Sequence, residues 1–517
     1  MQFGKRAWTL LGLFVIAPTI LVACTMPAAA PAASTQNATV TAEATEATVA
    51  AEATVASSSS VSESTQTFGG VTLPTSTGKP TAQEAEQIAQ AAYVFGFPLV
   101  VLHNTEGQLS NVPAAEQFEA PINQFTTPNQ PLTPSFTTIP APPVDVLFSN
   151  AWLDLSKEPL VFTMPDTGGI YNMMTILDGW TNVIAAPGSR TTGTGGGNFV
   201  LVGPNWQGTV PDGMTRIDMP TNAGWIEGST GYDGPSSLAA VNAVQAGYKL
   251  TPLSAWGTDY TPPSDAPVDP NVDTSSTPQN QVQHMTAEAF FSQLAVLMGP
   301  NPPSAADAPV LAQMARIGIV PGQPFNWDAL SPELQDAVTA GVKHGQADVT
   351  KLGLEIPGST KMNGWLVNLE SGWGNYGTDY ALRAAAAYSA LGAVLPQDDT
   401  YYVVGGDGKH NYTITFPEGQ TPPTNAFWGI DMYDDHLHLV SNPINRYAIG
   451  PHLAPVNYNS DGSLTIYIQN EEPSTSAEQQ NWLPAPAGAF LLVMHVYWPQ
   501  ESLLDGTWSP PALTKTN

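Results

Sequence analysis

Phe490-Leu-Leu-Val-Met-His-Val-Tyr-Trp498 decides how this chain is read. The run is apolar and aromatic, holds no Gly or Pro, and reads as a β-strand. Alternation puts His495 on the face of Leu491, Val493 and Tyr497, where a hydrogen-bonded core histidine is expected. Working outward, the C-terminal part is β-like throughout: Tyr401–Val404, Tyr412–Phe416, Phe427–Met432, Leu437–Val440 and Leu464–Gln469. Asp407-Gly408 and Asp461-Gly462 supply hairpin turns.

Upstream the periodicity changes. Helices are expected over 286–298, 305–317, from Ser331-Pro332 onward, and over Tyr380–Leu391 before Gly392. Before a Pro-rich junction at 258–283, short strands alternate with turns: Leu160–Met164, Tyr171–Leu177, Phe199–Val202 and Gly224–Ile226. Thr81-Ala82-Gln83-Glu84 is a capping box opening a helix whose stripe is Ile88, Ala91, Ala92, Phe95 and Leu99. Gly96 and Pro98 are expected to end or bend it, and 107–143 reads as a long ordered loop. The expected class is α+β: two β-sandwich-like domains (81–257 and 396–517) with a helical block between them (284–395). The ~440 residues after the stalk exceed one comfortable core.

The N-terminus carries an address. Lys5 and Arg6 precede an apolar run from Trp8 to Ala23, and Leu21-Val22-Ala23-Cys24 resembles the bacterial lipobox. Residues 1–23 are therefore expected to be a signal peptide and Cys24 the lipidated first residue of the mature chain. The run is too short, at about 16 residues, to favour a spanning helix. Residues 24–80, built on Ala, Thr, Ser and repeated AEAT units, cannot bury a core and are expected to be a disordered tether. Cys24 is the only cysteine, which excludes disulfides and thiolate chemistry.

Charge narrows the partners. The formal balance is −29, and losing Lys5 and Arg6 with the leader makes it −31. Five arginines remain, at 190, 216, 316, 383 and 446. Nucleic-acid binding needs basic side chains on phosphates and is excluded, as is attraction to anionic headgroups. Membrane contact is expected through the N-terminal lipid alone. An acidic body with 45 Gly and 48 Pro fits an extracytoplasmic β-rich protein.

Several longer motifs are familiar together. Asp145-Val-Leu-Phe-Ser-Asn-Ala-Trp-Leu-Asp-Leu-Ser, Asp178-Gly-Trp-Thr-Asn and Pro187-Gly-Ser-Arg-Thr-Thr-Gly-Thr resemble the bacterial domain of unknown function 1254. Ala426-Phe-Trp-Gly-Ile, Asn442-Pro-Ile-Asn-Arg-Tyr, Asp461-Gly-Ser-Leu, Asn481-Trp-Leu-Pro-Ala-Pro and Asp505-Gly-Thr-Trp resemble its companion, domain of unknown function 1214. The resemblance implies a mixed sandwich-and-helix architecture and an envelope or secreted setting. It implies no reaction, and His436 and His438 lie outside its pattern.

Three constellations could carry chemistry. On a strand, Asp434, His436 and His438 would project together and supply three ligands to a metal with an open position. The same alternation also describes a solvated face. Trp152, Asp154, Tyr171, Asp178 and Arg190 combine aromatics with carboxylates, as a glycan site does, or serve as core and turn residues. Arg190 is expected to pair with Asp154 or Asp178. Asn442 and Arg446 either present a fork to a carboxylate ligand or lock their turn. Gly193-Thr-Gly-Gly-Gly197 is a hairpin turn, because a strand and not a helix follows it.

The leading expectation is a lipid-anchored envelope protein that binds a neutral or weakly cationic small molecule or glycan in an aromatic-lined cleft between domains. The competing one is an extracytoplasmic hydrolase, metal-assisted through Asp434, His436 and His438. The third is a structural envelope protein. No cofactor is expected beyond that divalent metal.

Overall fold

The computed structural model describes residues 68–126, 130–137, 141–369 and 372–516. The expected signal peptide, Cys24 and the tether as far as residue 67 lie outside the described residues. All described residues belong to one compact unit, residues 66–517. The protein is α+β, with four sheets and a layer of helices.

The helical layer is organised by one 28-residue helix, Ala82–Leu109. Thr81 and Glu84 form the expected capping box. The helix does not end at Gly96-Pro98 but runs through Pro98 for another three turns. Burial decides this: Val94 through Leu102 are all inside, so packing outweighs the lost proline hydrogen bond. By length and composition this helix could cross a membrane, but here it is largely buried as the core of the helical layer. It crosses Pro332–Glu355 closely because the latter turns glycines toward it. A Cβ on Gly341 would lie 2.3 Å from Glu86 O, and one on Gly345 would lie 2.7 Å from Tyr93 Cβ.

Order begins earlier than the expected tether boundary at 80. Phe68 is buried in the helical core and stacks on Tyr380 at 4.9 Å, since an aromatic ring gains more by burial than a Ser/Thr-rich chain loses in freedom. The Pro-rich junction runs along the same body: Ala266 N donates to Pro113 O at 2.9 Å, and Asn111 Nδ2 donates to Asp269 O at 2.8 Å.

In the N-terminal half, the strands Val146–Asp154, Ala223–Gly231, Asn172–Asp178 and Val183–Ala185 form one sheet, in that order. Thr215–Asp218, Gly197–Val202, Leu160–Met164 and Lys249–Pro252 form a second sheet. The two enclose a core that includes Leu153, Phe162, Met174, Ile176, Leu201 and Ile226. In the C-terminal half, Ala489–Tyr497 lies inside a six-stranded sheet between Trp428–Asp434 and Asp399–Asp407. That sheet packs on a four-stranded sheet through Ile414, Phe416, Ile466, Leu492, Met494 and Val496.

Two elements differ from expectation. Residues 437–440 form no strand; Tyr433 and Leu439 make a single bridge across a tight turn. Leu238–Gln245 is a helix that the turn-rich composition around it concealed.

Candidate functional site

The six-stranded sheet has one apolar face and one polar face, and the polar face does not meet solvent. Register puts Tyr401 and Gly429 opposite His495, Asp399 opposite Tyr497, and Asp431 opposite Val493. Directly paired residues share a side of the sheet. Asp399, Tyr401, Asp431, His495 and Tyr497 therefore all point away from the apolar core. They meet the outer face of the first N-terminal sheet, where Asn150, Glu227 and Thr175 lie side by side on three strands. Phe148, Tyr401, Val403 and Val493 pack together across this seam. Tyr171 sets its ring edge-on to Phe427 at 5.4 Å and to Tyr497 at 5.8 Å.

Four carboxylates enter the seam. Asp145, just before the Val146–Asp154 strand, accepts from Tyr497 Oη at 2.8 Å, and its Oδ2 lies 3.9 Å from His452 Nε2. Asp431 accepts from Val144 N at 3.3 Å. Asp399 Oδ2 lies 3.0 Å from His495 Nδ1. Glu227 comes from the opposite sheet. Gly429 makes room for this approach, since a Cβ there would lie 2.9 Å from Asp145 Oδ2.

Burial and mutual repulsion set the proton affinities. Burial, then Asp399, pushes the Glu227 carboxyl up to about 8. Burial, then Asp145, holds the Asp431 carboxyl well above the carboxylate range. Asp399 is raised by burial against the pull of His495. For His495, burial works against the charged ring, but Asp399, Asp431 and Asp145 together carry it up to about 9. Burial and mutual repulsion thus favour protons kept on the seam's carboxyls, while the surrounding acids favour the charged form of His495.

Polar atoms on both sides lack partners. Asn150 Oδ1, Thr175 Oγ1, Trp225 Nε1 and Glu227 Oε2 on one sheet have no hydrogen-bond partner among the described residues. Neither do Asp145 Oδ2, Asp431 Oδ2 and His495 Nε2 facing them. Such orphans are costly in a tight core. Glu227, Tyr171 and Tyr401 are surrounded by protein yet each keeps intermediate accessible surface.

The residues singled out in the sequence are partly gathered here. Tyr171 is in the seam and donates to Asp398 O at 3.3 Å. Arg190 lies at its edge, paired not with Asp154 or Asp178 but with Asp398, at 2.6 and 2.8 Å. That carboxylate lies 208 residues along the chain from Arg190 and reaches it only because the two halves pack. Trp152 stacks on Trp225 at 4.7 Å. Asp154 accepts from Ser156 N at 2.9 Å, and Asp178 accepts from Trp180 N and Asn182 N, both at 2.8 Å. Asn442 bonds Val440 O and Arg446 O, while Arg446 donates to the carbonyls of Gln479, Gln480 and Trp482.

Asp434, His436 and His438 do not share a strand face. The strand ends at Asp434, and Leu437 takes a positive φ of 62° in the turn that follows. Asp434 Oδ1 accepts from the backbone of both His436 and His438 at 2.9 Å, which caps the turn. Among the described residues, no group of three or more His, Cys, Asp or Glu is placed to hold a metal ion.

Sequence reasoning passed over Asp145, Glu227, Asp399 and Asp431. A usable signal existed for Asp431, which interrupts the mostly apolar, buried strand Trp428–Asp434, where a charge is expensive.

Comparison with known proteins agrees with this division. Residues 122–252 match the family described as protein of unknown function (DUF1254), and residues 403–501 match protein of unknown function (DUF1214). No curated protein matches the chain significantly. The crystal structure of the VPA0106 protein from Vibrio parahaemolyticus is similar over 84% of this chain and 100% of its own, with 21% identity and a TM-score of 0.61, so the two share a fold. An uncharacterized protein from Burkholderia cenocepacia aligns over 84% of this chain and 93% of its own, at 12% identity and a TM-score of 0.40.

Proposed function

We propose that this chain, which carries a DUF1254 region followed by a DUF1214 region, is a lipid-tethered envelope protein that holds a small polar molecule between the two. The observation that carries this reading is the pairing of unpartnered polar atoms on the facing sheets around Tyr171 and Tyr401. Donors and acceptors that find no protein partner are what a bound hydroxylated or amine-bearing molecule satisfies, and aromatic walls give it apolar contact. The lipobox-like Leu21-Val22-Ala23-Cys24 and the −31 charge of the mature chain support a body tethered outside the cytoplasm. The test is calorimetry and thermal shift of the purified chain against chemically diverse glycans and metabolites. Silence across the panel sinks the proposal.

One observation favours hydrolysis as a second reading. Asp399 orients His495 through Nδ1 and leaves Nε2 without a partner among the described residues, the arrangement that presents an imidazole for proton transfer. Turnover of chromogenic esters or glycosides that is lost in His495→Ala would support it. Absence of turnover in the intact protein removes it.

A further inference from the structure

We propose that the molecule held in the seam is a compact organic cation, an aliphatic amine carrying its positive charge. This rests on the binding reading above and names the ligand's chemistry.

The first argument is charge. Asp145, Glu227, Asp399 and Asp431 converge, whereas the cations at hand are already engaged: His495 with Asp399, and Arg190 with Asp398 outside the cluster. The second is the balance of unpartnered atoms. Asn150 Oδ1, Asp145 Oδ2, Glu227 Oε2, Asp399 Oδ1 and Asp431 Oδ2 accept, Thr175 Oγ1 and the ring nitrogens of His452 serve either way, and Trp225 Nε1 and His495 Nε2 donate. A ligand that answers this set must bring donors, and an ammonium group brings up to three. The neutral members matter most here. Asn150 is 7% exposed and Thr175 0%, and neither belongs to the acid cluster, yet both sit on the same face as Glu227. The third argument is the rings: Tyr171, Tyr401, Tyr497 and Phe427 surround the acids, and a cation gains over aromatic faces.

Charge linkage follows. An arriving cation favours the ionised carboxylates, so protons leave as the amine enters. Glu227, held largely protonated at neutral pH, is the group placed to release one.

The experiment is isothermal titration of the purified full chain with putrescine and ethanolamine, and with glycerol and glucose as neutral counterparts, at pH 7 in two buffers of different ionisation heat. The expected result is binding of an amine, no binding of the polyols, and release of on the order of one proton per ligand. Glu227→Gln and Asn150→Ala should each weaken amine binding about tenfold or more, since each removes part of a desolvated acceptor set. Circular dichroism and a cooperative melt establish that each variant folds, and two variants guard against the failure of one. Polyol binding without amine binding overturns the cation assignment and leaves the binding reading standing. Amine binding unaffected by both variants places the ligand elsewhere and overturns the site. No binding by any probe counts against both.

Discussion

Arg190 forks onto Asp398, Nε to Oδ1 at 2.6 Å and a terminal nitrogen to Oδ2 at 2.8 Å, while the next residue, Asp399, turns to His495. Two consecutive aspartates thus do different jobs. Asp398 clamps the N-terminal sheet region to the C-terminal one at the edge of the seam, and Asp399 joins the polar cluster inside it.

The clamp should be costly to break. Asp398 is 3% exposed and Arg190 25%, so Arg190→Ala strands a buried carboxylate that water reaches only in part. A loss of about 2–4 kcal/mol in urea unfolding is expected, short of a fully buried pair. Arg190→Lys should recover less than half, because an ammonium cannot make the two parallel bonds.

Stability should fall as pH rises from neutral to about 9. Glu227 and His495 both bind protons more tightly in the folded chain than their ordinary values of 4.5 and 6.5. The folded state then holds more protons than the unfolded one, and stability declines through about 8 for Glu227 and about 9 for His495. The groups facing Glu227 are Asp399, Tyr171 and Tyr401, and those facing His495 are Asp399, Asp431 and Asp145. His452, lowered by burial, acts in the opposite sense, but below its ordinary 6.5. Melting temperatures across pH 6–9 measure the slope. Glu227→Gln should flatten it and raise the melting point most at the alkaline end; an unchanged slope refutes the assignment.

The crossing of the two long helices should tolerate no methyl group. Gly341→Ala drives a Cβ to within 2.3 Å of a backbone oxygen in the partner helix, which cannot rotate away. A destabilisation of about 2–3 kcal/mol is expected from overpacking. Gly107→Ala, with open space around it, should be neutral to slightly stabilising in the same denaturation assay.

The 434–438 turn separates capping from ligation. Asp434→Ala removes two charge-assisted bonds to backbone and should cost about 1–2 kcal/mol. His436→Ala keeps the turn and should lie within about 0.5 kcal/mol of the parent, as an exposed side chain does. A larger loss for His436 than for Asp434, in parallel melts, contradicts the capping role.

Read on its own, the chain settles what depends on neighbours along the sequence. The capping box at Thr81, the strands Leu160–Met164, Tyr412–Phe416 and Leu464–Gln469, and the two family motif sets are all local patterns, and each holds in the fold. The turn at Asp461-Gly462, by contrast, joins no hairpin, because Leu464–Gln469 pairs with Tyr412–Phe416 and Trp482–Pro484. The inward face of His495 is local too. Its partner is not: Asp399 is 96 residues away, and Tyr497 finds Asp145 at a separation of 352. Only the packing of sheet on sheet brings those groups together. The same packing carries the first helix through Pro98, because burial of its apolar length outweighs a local breaking signal. In the opposite sense, Asp434 ends a strand that alternation would have continued, because its carboxylate gains more by capping a turn than by facing solvent. Pattern along the chain fixes which side of a strand a residue takes; what waits on that side is decided in three dimensions.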